Sequence, residues 1–284
     1  MEIPIIYFSS SNNTKYIAEL ITRGLKLANH NPQLIPWTSF KSGAIDLIKY
    51  DVFGLGSPIY ALSYPPFVIS LLKELPKAEN EQKFFLFDTN AGLPGNTLKV
   101  AKNILEKKGY SFLGALEIIS PTRDSVFQTE FFDYVSWSEK KLHKSLQFGM
   151  EIGFSLRKPN PSVLDWTIKK MPFANLIRKG FQYLEGFFYK FIGKSIVIQS
   201  SKCTNCKVCL RVCPTSAITI DNGPIIHKEL CTGCFKCLRE CPEGALYLKQ
   251  FPNFEYFEGP QTINGYISPD NLLEQYRKKV GRNR

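Results

Sequence analysis

Cys203-Thr-Asn-Cys206-Lys-Val-Cys209-Leu-Arg-Val-Cys213-Pro214 returns 28 positions later as Cys231-Thr-Gly-Cys234-Phe-Lys-Cys237-Leu-Arg-Glu-Cys241-Pro242. These two runs take all eight cysteines of the chain. Each reads C-x₂-C-x₂-C-x₃-C-P, the spacing that holds a cubic [4Fe–4S] cluster. Three thiolates on one short loop can cap a single cluster. The fourth points into the following helix and suits the neighbouring cluster. The expected sets are therefore Cys203, Cys206, Cys209 and Cys241 on one cluster, and Cys231, Cys234, Cys237 and Cys213 on the other. Zinc also takes four cysteines, but zinc ribbons supply two separated C-x₂-C pairs rather than tandem runs of four.

The match between the runs extends to Ala217 opposite Ala245. Ile196–Gln199, Ala217–Ile220 and Ala245–Leu248 read as short strands around them. A module of about 55 residues has little core of its own, so its clusters are expected to hold it together. The runs and their spacing resemble the bacterial ferredoxins that carry two [4Fe–4S] clusters, with a small α+β fold over residues 195–250.

Upstream, the pattern changes to alternating strands and helices. Residues 3–8 (Ile-Pro-Ile-Ile-Tyr-Phe) form an apolar run suited to a buried strand. Ser9-Ser10-Ser11-Asn12-Asn13-Thr14 follows as a polar turn. Tyr16, Ile17, Leu20, Ile21 and Leu25 then recur at helical spacing. Such a turn offers hydroxyls beside the unpaired N–H groups of a helix N-terminus, which suit a phosphate; a simple helix cap is the plainer reading. Further strands are expected at 33–37, 51–56, 83–89 and 112–119. Helices are expected from Pro65-Pro66-Phe67 to about Leu75, from Thr97 to Lys108 and from Ser136 to about Leu156. Five strands alternating with helices imply a doubly wound parallel sheet, with ligands at the carboxyl ends of the strands.

This first domain, residues 1–157, resembles flavodoxin. Its first loop stands where flavodoxins place [S/T]-x-T-G-x-T, with Asn12 in the glycine position; asparagine is the non-glycine residue best suited to positive φ. The resemblance implies FMN. Ser9, Ser11 and Thr14 hydroxyls and the backbone N–H groups of residues 10–14 would take its phosphate. Ser57, Pro58, Ile59, Tyr60 and Ala61, with Thr89, Asn90, Ala91 and Gly92, would hold its ring. Tyr60 is the one aromatic in those loops and the candidate to stack on it.

Together the halves resemble the ferredoxin-fused flavodoxin-like proteins of bacteria and archaea, over about residues 1–250. Asn13-Thr14-Lys15 and Pro58-Ile59-Tyr60 match loops usual in that family. The resemblance implies an electron-transfer protein relaying between two [4Fe–4S] clusters and FMN, and so joining one- and two-electron steps. Two alternatives stand beside it: a ferredoxin-type carrier whose first domain has lost FMN and only docks a partner, and a flavin-dependent reductase of a small substrate. No residue is nominated as a catalyst, because His30, His143 and His227 are scattered.

Residues 158–194 join the two domains. Phe173, Leu176, Ile177, Phe181, Leu184, Phe187, Phe188, Phe191 and Ile192 form an apolar stripe flanked by Arg178, Lys179, Lys190 and Lys194. It reads as a bridging helix between domains or as a basic amphipathic face on a membrane surface. Residues 251–284 read as a C-terminal tail with a helix from about Asn271, capped by Ser268.

The formal charge of +11 falls once clusters are counted, since each oxidised cluster with its thiolates carries roughly −2. No nucleic-acid reader motif is present, and redox protein partners are expected instead. There is no uncharged apolar run long enough to span a membrane and no signal peptide at the N-terminus. Cysteines spaced for metal rather than for disulfides fit a reducing cytosol.

Overall fold

The computed structural model describes residues 1–281 except 42, 44, 61, 80, 93, 122–135, 160, 162, 165–192 and 251–258. Ala61 and nearly all of the aromatic stripe at 173–194 lie outside the described residues.

The first domain is a five-stranded parallel sheet in the order β2-β1-β3-β4-β5. Its strands are β1 (Glu2–Tyr7), β2 (Asn31–Pro36), β3 (Val52–Pro58), β4 (Lys83–Asn90) and β5 (Ser111–Ile119). This is the flavodoxin-like doubly wound order, with its switch point between β1 and β3. β1, β3, β4 and β5 are buried on both faces along most of their length, which is why they read as continuous apolar runs rather than alternating ones. β2 alone carries two prolines within the strand after its first residue, Pro32 and Pro36, and it lies at the sheet edge, where a missing N–H is tolerated.

Helices cover both faces. On one side lie α1 (Asn13–Leu27) and α5 (Glu139–Ser155), packed on Ile3, Ile5, Phe85, Phe87 and Leu116. On the other lie α2 (Trp37–Lys41), α3 (Pro66–Glu74) and α4 (Thr97–Glu106), over Ile6, Phe53, Leu55, Phe84 and Leu86. α1 and α5 approach to backbone contact: a Cβ on Gly24 would stand 2.1 Å from the Leu146 carbonyl oxygen, and one on Gly149 2.2 Å from that of Ile21. α5 starts at Glu139, three residues after the expected Ser136, because the Ser138 hydroxyl accepts the Lys141 N–H and sets the cap there.

The second domain consists of two antiparallel strand pairs around two short helices. β6 (Ile196–Ile198) pairs with β9 (Leu246–Leu248), and β7 (Ile218–Ile220) with β8 (Pro224–Ile226). α6 (Val208–Val212) and α7 (Lys236–Arg239) each follow a cysteine loop. Its core is small: Ile196, Ile218, Phe235, Leu238, Leu246 and Leu248, together with Cys209 and Cys237.

Beyond it, the chain returns to the first domain. Ile263 and Leu272 are buried in the core under α1 and α5. Tyr16 Oη donates to the Ile267 carbonyl at 2.5 Å, and Arg23 pairs with Asp270 at 3.0 Å. The last helix, α8 (Pro269–Gly281), is capped by the Ser268 hydroxyl, which accepts the Asn271 N–H.

Candidate metal and flavin sites at the domain junction

The cysteine loops owe their shape to residues between the thiols. Asn205 and Lys207 in the first loop adopt φ of 54° and 61°; Gly233 and Phe235, at the matching positions of the second, adopt 66° and 58°. These left-handed turns curl each loop so that its three cysteines face inward. Two cavities result. One is lined by Cys213, Cys231, Cys234 and Cys237, with Ile196, Ala217, Ile218 and Phe235 among its walls. The other is lined by Cys203, Cys206, Cys209 and Cys241. Each thus gathers three cysteines from one run and the fourth from the other. Among the described residues no three such side chains close on one point as a single metal ion requires. In each cavity the four thiols stand around a common space, which suits a cluster in which every iron takes its own thiolate.

The surrounding backbone is also matched. The Ala217 N–H donates to Cys213 Sγ at 3.2 Å, and the Ala245 N–H to Cys241 Sγ at 3.3 Å. Such donors favour the more negative state of a bound cluster and so raise its potential. Burial pushes the Cys234 thiol up to about 12 and raises Cys237 well above the ordinary thiol range. These thiols give up their protons when a metal cation replaces them.

The two cavities differ in surroundings. Cys206 is exposed, whereas Cys234 is buried and packs with the second core of the first domain, which includes Phe8, Trp37 and Tyr64. Five hydrogen bonds fix that junction. Ser10 Oγ donates to the Cys234 carbonyl at 2.5 Å. Arg239 Nη1 donates to Ser10 Oγ at 2.5 Å. Beside Cys213, Trp37 Nε1 and Lys41 Nζ donate to the Pro214 carbonyl at 3.2 and 3.3 Å, and Lys41 Nζ also donates to Ser216 Oγ at 3.0 Å. We call the cavity at this junction the inner one and the other the outer.

Ser10 belongs to the candidate phosphate loop. Asn12 there adopts φ 64° and ψ 0°, the left-handed conformation expected of a residue in the glycine position. Its carbonyl accepts the Tyr16 N–H to begin α1. Ser9, Ser10, Asn13 and Thr14 are buried, and Ser11 and Asn12 partly so. Asn13 Nδ2 donates to the Pro121 carbonyl at 2.6 Å. Thr14 and Thr89 share a hydroxyl hydrogen bond at 2.8 Å, which ties this loop to the one after β4. Ser9 Oγ and Asn13 Oδ1 are buried without a partner among the described residues. A hydroxyl in this state at a helix N-terminus fits a phosphate oxygen; a carbonyl acceptor fits a sugar-alcohol hydroxyl.

The other two loops stand at the same sheet end. The Ile59 N–H donates to the Thr89 carbonyl at 3.0 Å, and Tyr60 and Ser63 exchange a pair of backbone hydrogen bonds. Ser57 is fully buried, with its hydroxyl on the Pro58 carbonyl. Asn90 accepts the Gly92 N–H at 2.8 Å and donates to Asp88 at 3.0 Å. Ala91 and Gly92 complete that turn, with Gly92 at φ 103°.

Sequence reasoning did not single out Trp37, Lys41, Asp88 or Arg239. Asp88 had a visible signal: an acid ending the apolar run Phe84–Phe87. It is fully buried with Oδ2 unpartnered among the described residues, and burial raises its carboxyl well above the ordinary range, with Asn90 pulling the other way. Arg239 was visible only as a repeat of Arg211. The three histidines lie apart, on Gly153, Glu139 and Thr219.

Residues 202–245 match the family described as the 4Fe-4S dicluster domain. No curated protein matches the chain's sequence. Among solved structures, the first domain is similar to a flavodoxin from the domain Archaea, at 18% identity over 56% of this chain and 100% of that one, TM-score 0.42. Flavodoxin 2 from Bacillus cereus gives 21% identity, 56% and 100% coverage and 0.42. Rubredoxin oxygen:oxidoreductase from Desulfovibrio gigas gives 15% identity, 55% and 37% coverage and 0.39. The strand order of the sheet, rather than these distant likenesses, carries the fold. No helix among the described residues is long and apolar enough to cross a membrane. The chain joins a flavodoxin-like α/β domain to a ferredoxin-type region that matches the 4Fe-4S dicluster domain over residues 202–245.

Proposed function

We propose that the chain is an intramolecular electron relay with two [4Fe–4S] clusters and one FMN. Cys213, Cys231, Cys234 and Cys237 would hold the inner cluster; Cys203, Cys206, Cys209 and Cys241 would hold the outer. Ser9–Thr14 would hold the flavin phosphate, and 57–61 with 89–92 the ring. The observation that carries this reading is the joint between Ser10 and Cys234. It brings the candidate phosphate loop into hydrogen-bond contact with a candidate cluster loop.

Bound clusters supply one-electron transfer, and a bound flavin supplies one- or two-electron chemistry. The chain's own residues supply the setting. Phe235, Ile218 and Ile196 wall the inner cavity off from water, while the exposed Cys206 would leave the outer one open toward a redox partner. Burial and N–H donors are the levers on cluster potential. Ser10, Trp37 and Lys41 hold the inner loop against the first domain.

The rival reading is a docking domain without flavin. The Thr14–Thr89 hydrogen bond favours it, because it already joins two of the candidate flavin loops. Anaerobic spectroscopy with iron, sulfide and flavin measured per chain separates the two. About eight irons and one FMN support the relay. The same iron with no flavin, even after incubation with FMN, leaves the docking domain.

A further inference from the structure

Each cysteine run contains an arginine at the same place, and the two behave differently. Arg211 Nη1 donates to the Cys206 carbonyl at 3.3 Å. Arg239 Nη1 stands 3.5 Å from the matching Cys234 carbonyl. Tying down the second cysteine's carbonyl is therefore the shared duty of this arginine. In the inner loop Ser10 enters between the two groups: its hydroxyl accepts Arg239 Nη1 and donates to Cys234, both at 2.5 Å. Arg211 is exposed, whereas Arg239 is half-buried against the 9–14 loop.

That loop offers a phosphate much hydrogen bonding and little charge. It carries hydroxyls, the left-handed turn at Asn12, the first N–H groups of α1 and the buried, unpartnered Ser9 hydroxyl. Its nearest cation along the chain, Lys15, is turned toward Glu19 at 3.9 Å and is largely exposed. A phosphate monoester carries about −1.5 to −2 at neutral pH. A guanidinium is the side chain whose fork best matches it.

We propose that Arg239 is a phosphate-binding residue of the flavin site, so that the cluster domain completes a site built mainly by the other domain. The proposal rests on the FMN reading above. It assigns the charge recognition of the phosphate monoester to the second domain and the recognition of its shape to the first.

The test uses the full chain with its clusters assembled anaerobically and its flavin removed. FMN and riboflavin are titrated by fluorescence quenching into wild type, Arg239→Gln, Arg239→Lys and Arg211→Gln, with iron counted in each. Riboflavin has the same ring but no phosphate. Arg239→Gln is expected to weaken FMN roughly 10- to 100-fold, the worth of one charged hydrogen bond, with riboflavin unchanged. Arg239→Lys restores part of the loss, and Arg211→Gln leaves the FMN-to-riboflavin ratio at its wild-type value. Equal weakening of both flavins, or of neither, by Arg239→Gln overturns the proposal. Should that variant lose inner-cluster iron, the wild-type protein and Arg239→Lys still decide. Inorganic phosphate must compete with FMN, and Arg239→Lys must alter the competition. Wild type that binds neither flavin removes the FMN reading itself, whereas FMN binding indifferent to Arg239 removes only this inference.

Discussion

The two cysteine loops share one backbone and live in different surroundings. Left-handed turns fall at matching positions, and the Ala217 and Ala245 N–H bonds to sulfur agree within 0.1 Å. Between the cysteines, however, Lys207 stands in solvent while Phe235 is 3% exposed. The cysteines and their turns make a cradle; the residues between them choose what the cradle faces. Since burial is one of the levers on cluster potential, one duplicated motif would give two bound clusters different potentials.

The strongest way to break this comparison is through the crossed cysteines. Cys213→Ala is expected to remove the inner cluster and Cys241→Ala the outer, each lowering iron from about eight to about four per chain. Loss of the inner cluster also destabilises the second domain, because so little other core supports it. Iron and sulfide counts with electron paramagnetic resonance of the reduced protein report the result. Eight irons in either variant would refute the pairing.

The next effect tests what separates the loops. Phe235→Lys places in the inner loop the residue type that the outer loop carries at that position. It buries an amine among Ile196, Ile218 and Leu238 and is expected to cost at least about 3 kcal/mol, measured as a fall in the denaturant midpoint of the second domain. Lys207→Phe, on the exposed loop, is expected to change stability by less than about 0.5 kcal/mol. Similar costs for both would mean that burial does not distinguish them.

How much of this was legible follows the range of the interactions. Apolar runs and the capping of α1 are local, so the five strands and the turn at Asn12 could be read from neighbouring residues. The cysteine spacing is local too, and each cavity is lined by three cysteines of one run and one of the other. The junction was not readable: Ser10 and Cys234 are 224 residues apart, and nothing about a serine in a polar turn announces a distant carbonyl. The return of Ile263 and Leu272 to the first core was hidden in the same way, since apolar residues scattered through the tail do not specify which surface they meet.

Buried acids extend the comparison to pH. At Cys234 the proton can be exchanged for a metal cation, whereas burial raises the Asp88 carboxyl, with Asn90 its one hydrogen-bond partner among the described residues. Its folded pKa lies well above an unfolded value of about 3.9, so its contribution is fully present below about pH 4 and is lost as pH rises through the folded value. Asp88→Asn keeps an acceptor for Asn90 and cannot ionise. It is expected to raise the apparent melting temperature of the first domain at pH 7–8 and to give no gain near pH 4. A gain of the same size at both pH values would show that packing, rather than charge, is responsible.

The smallest expected effect concerns the residue that makes the loops unequal. Ser10→Ala deletes the hydroxyl between Arg239 and Cys234 and leaves both free to meet directly. Their separation of 3.5 Å is close to the 3.3 Å of Arg211 and Cys206, so little movement restores the arrangement of the outer loop. The net loss should be about 1 kcal/mol, because a replacement hydrogen bond is at hand. What should change more is access: with one tie to the first domain gone, the inner cluster should lose iron to a chelator faster, approaching the rate of the outer. Two rates that stay as far apart as in the wild type would place the protection in Phe235 and Trp37 packing and not in the Ser10 bridge.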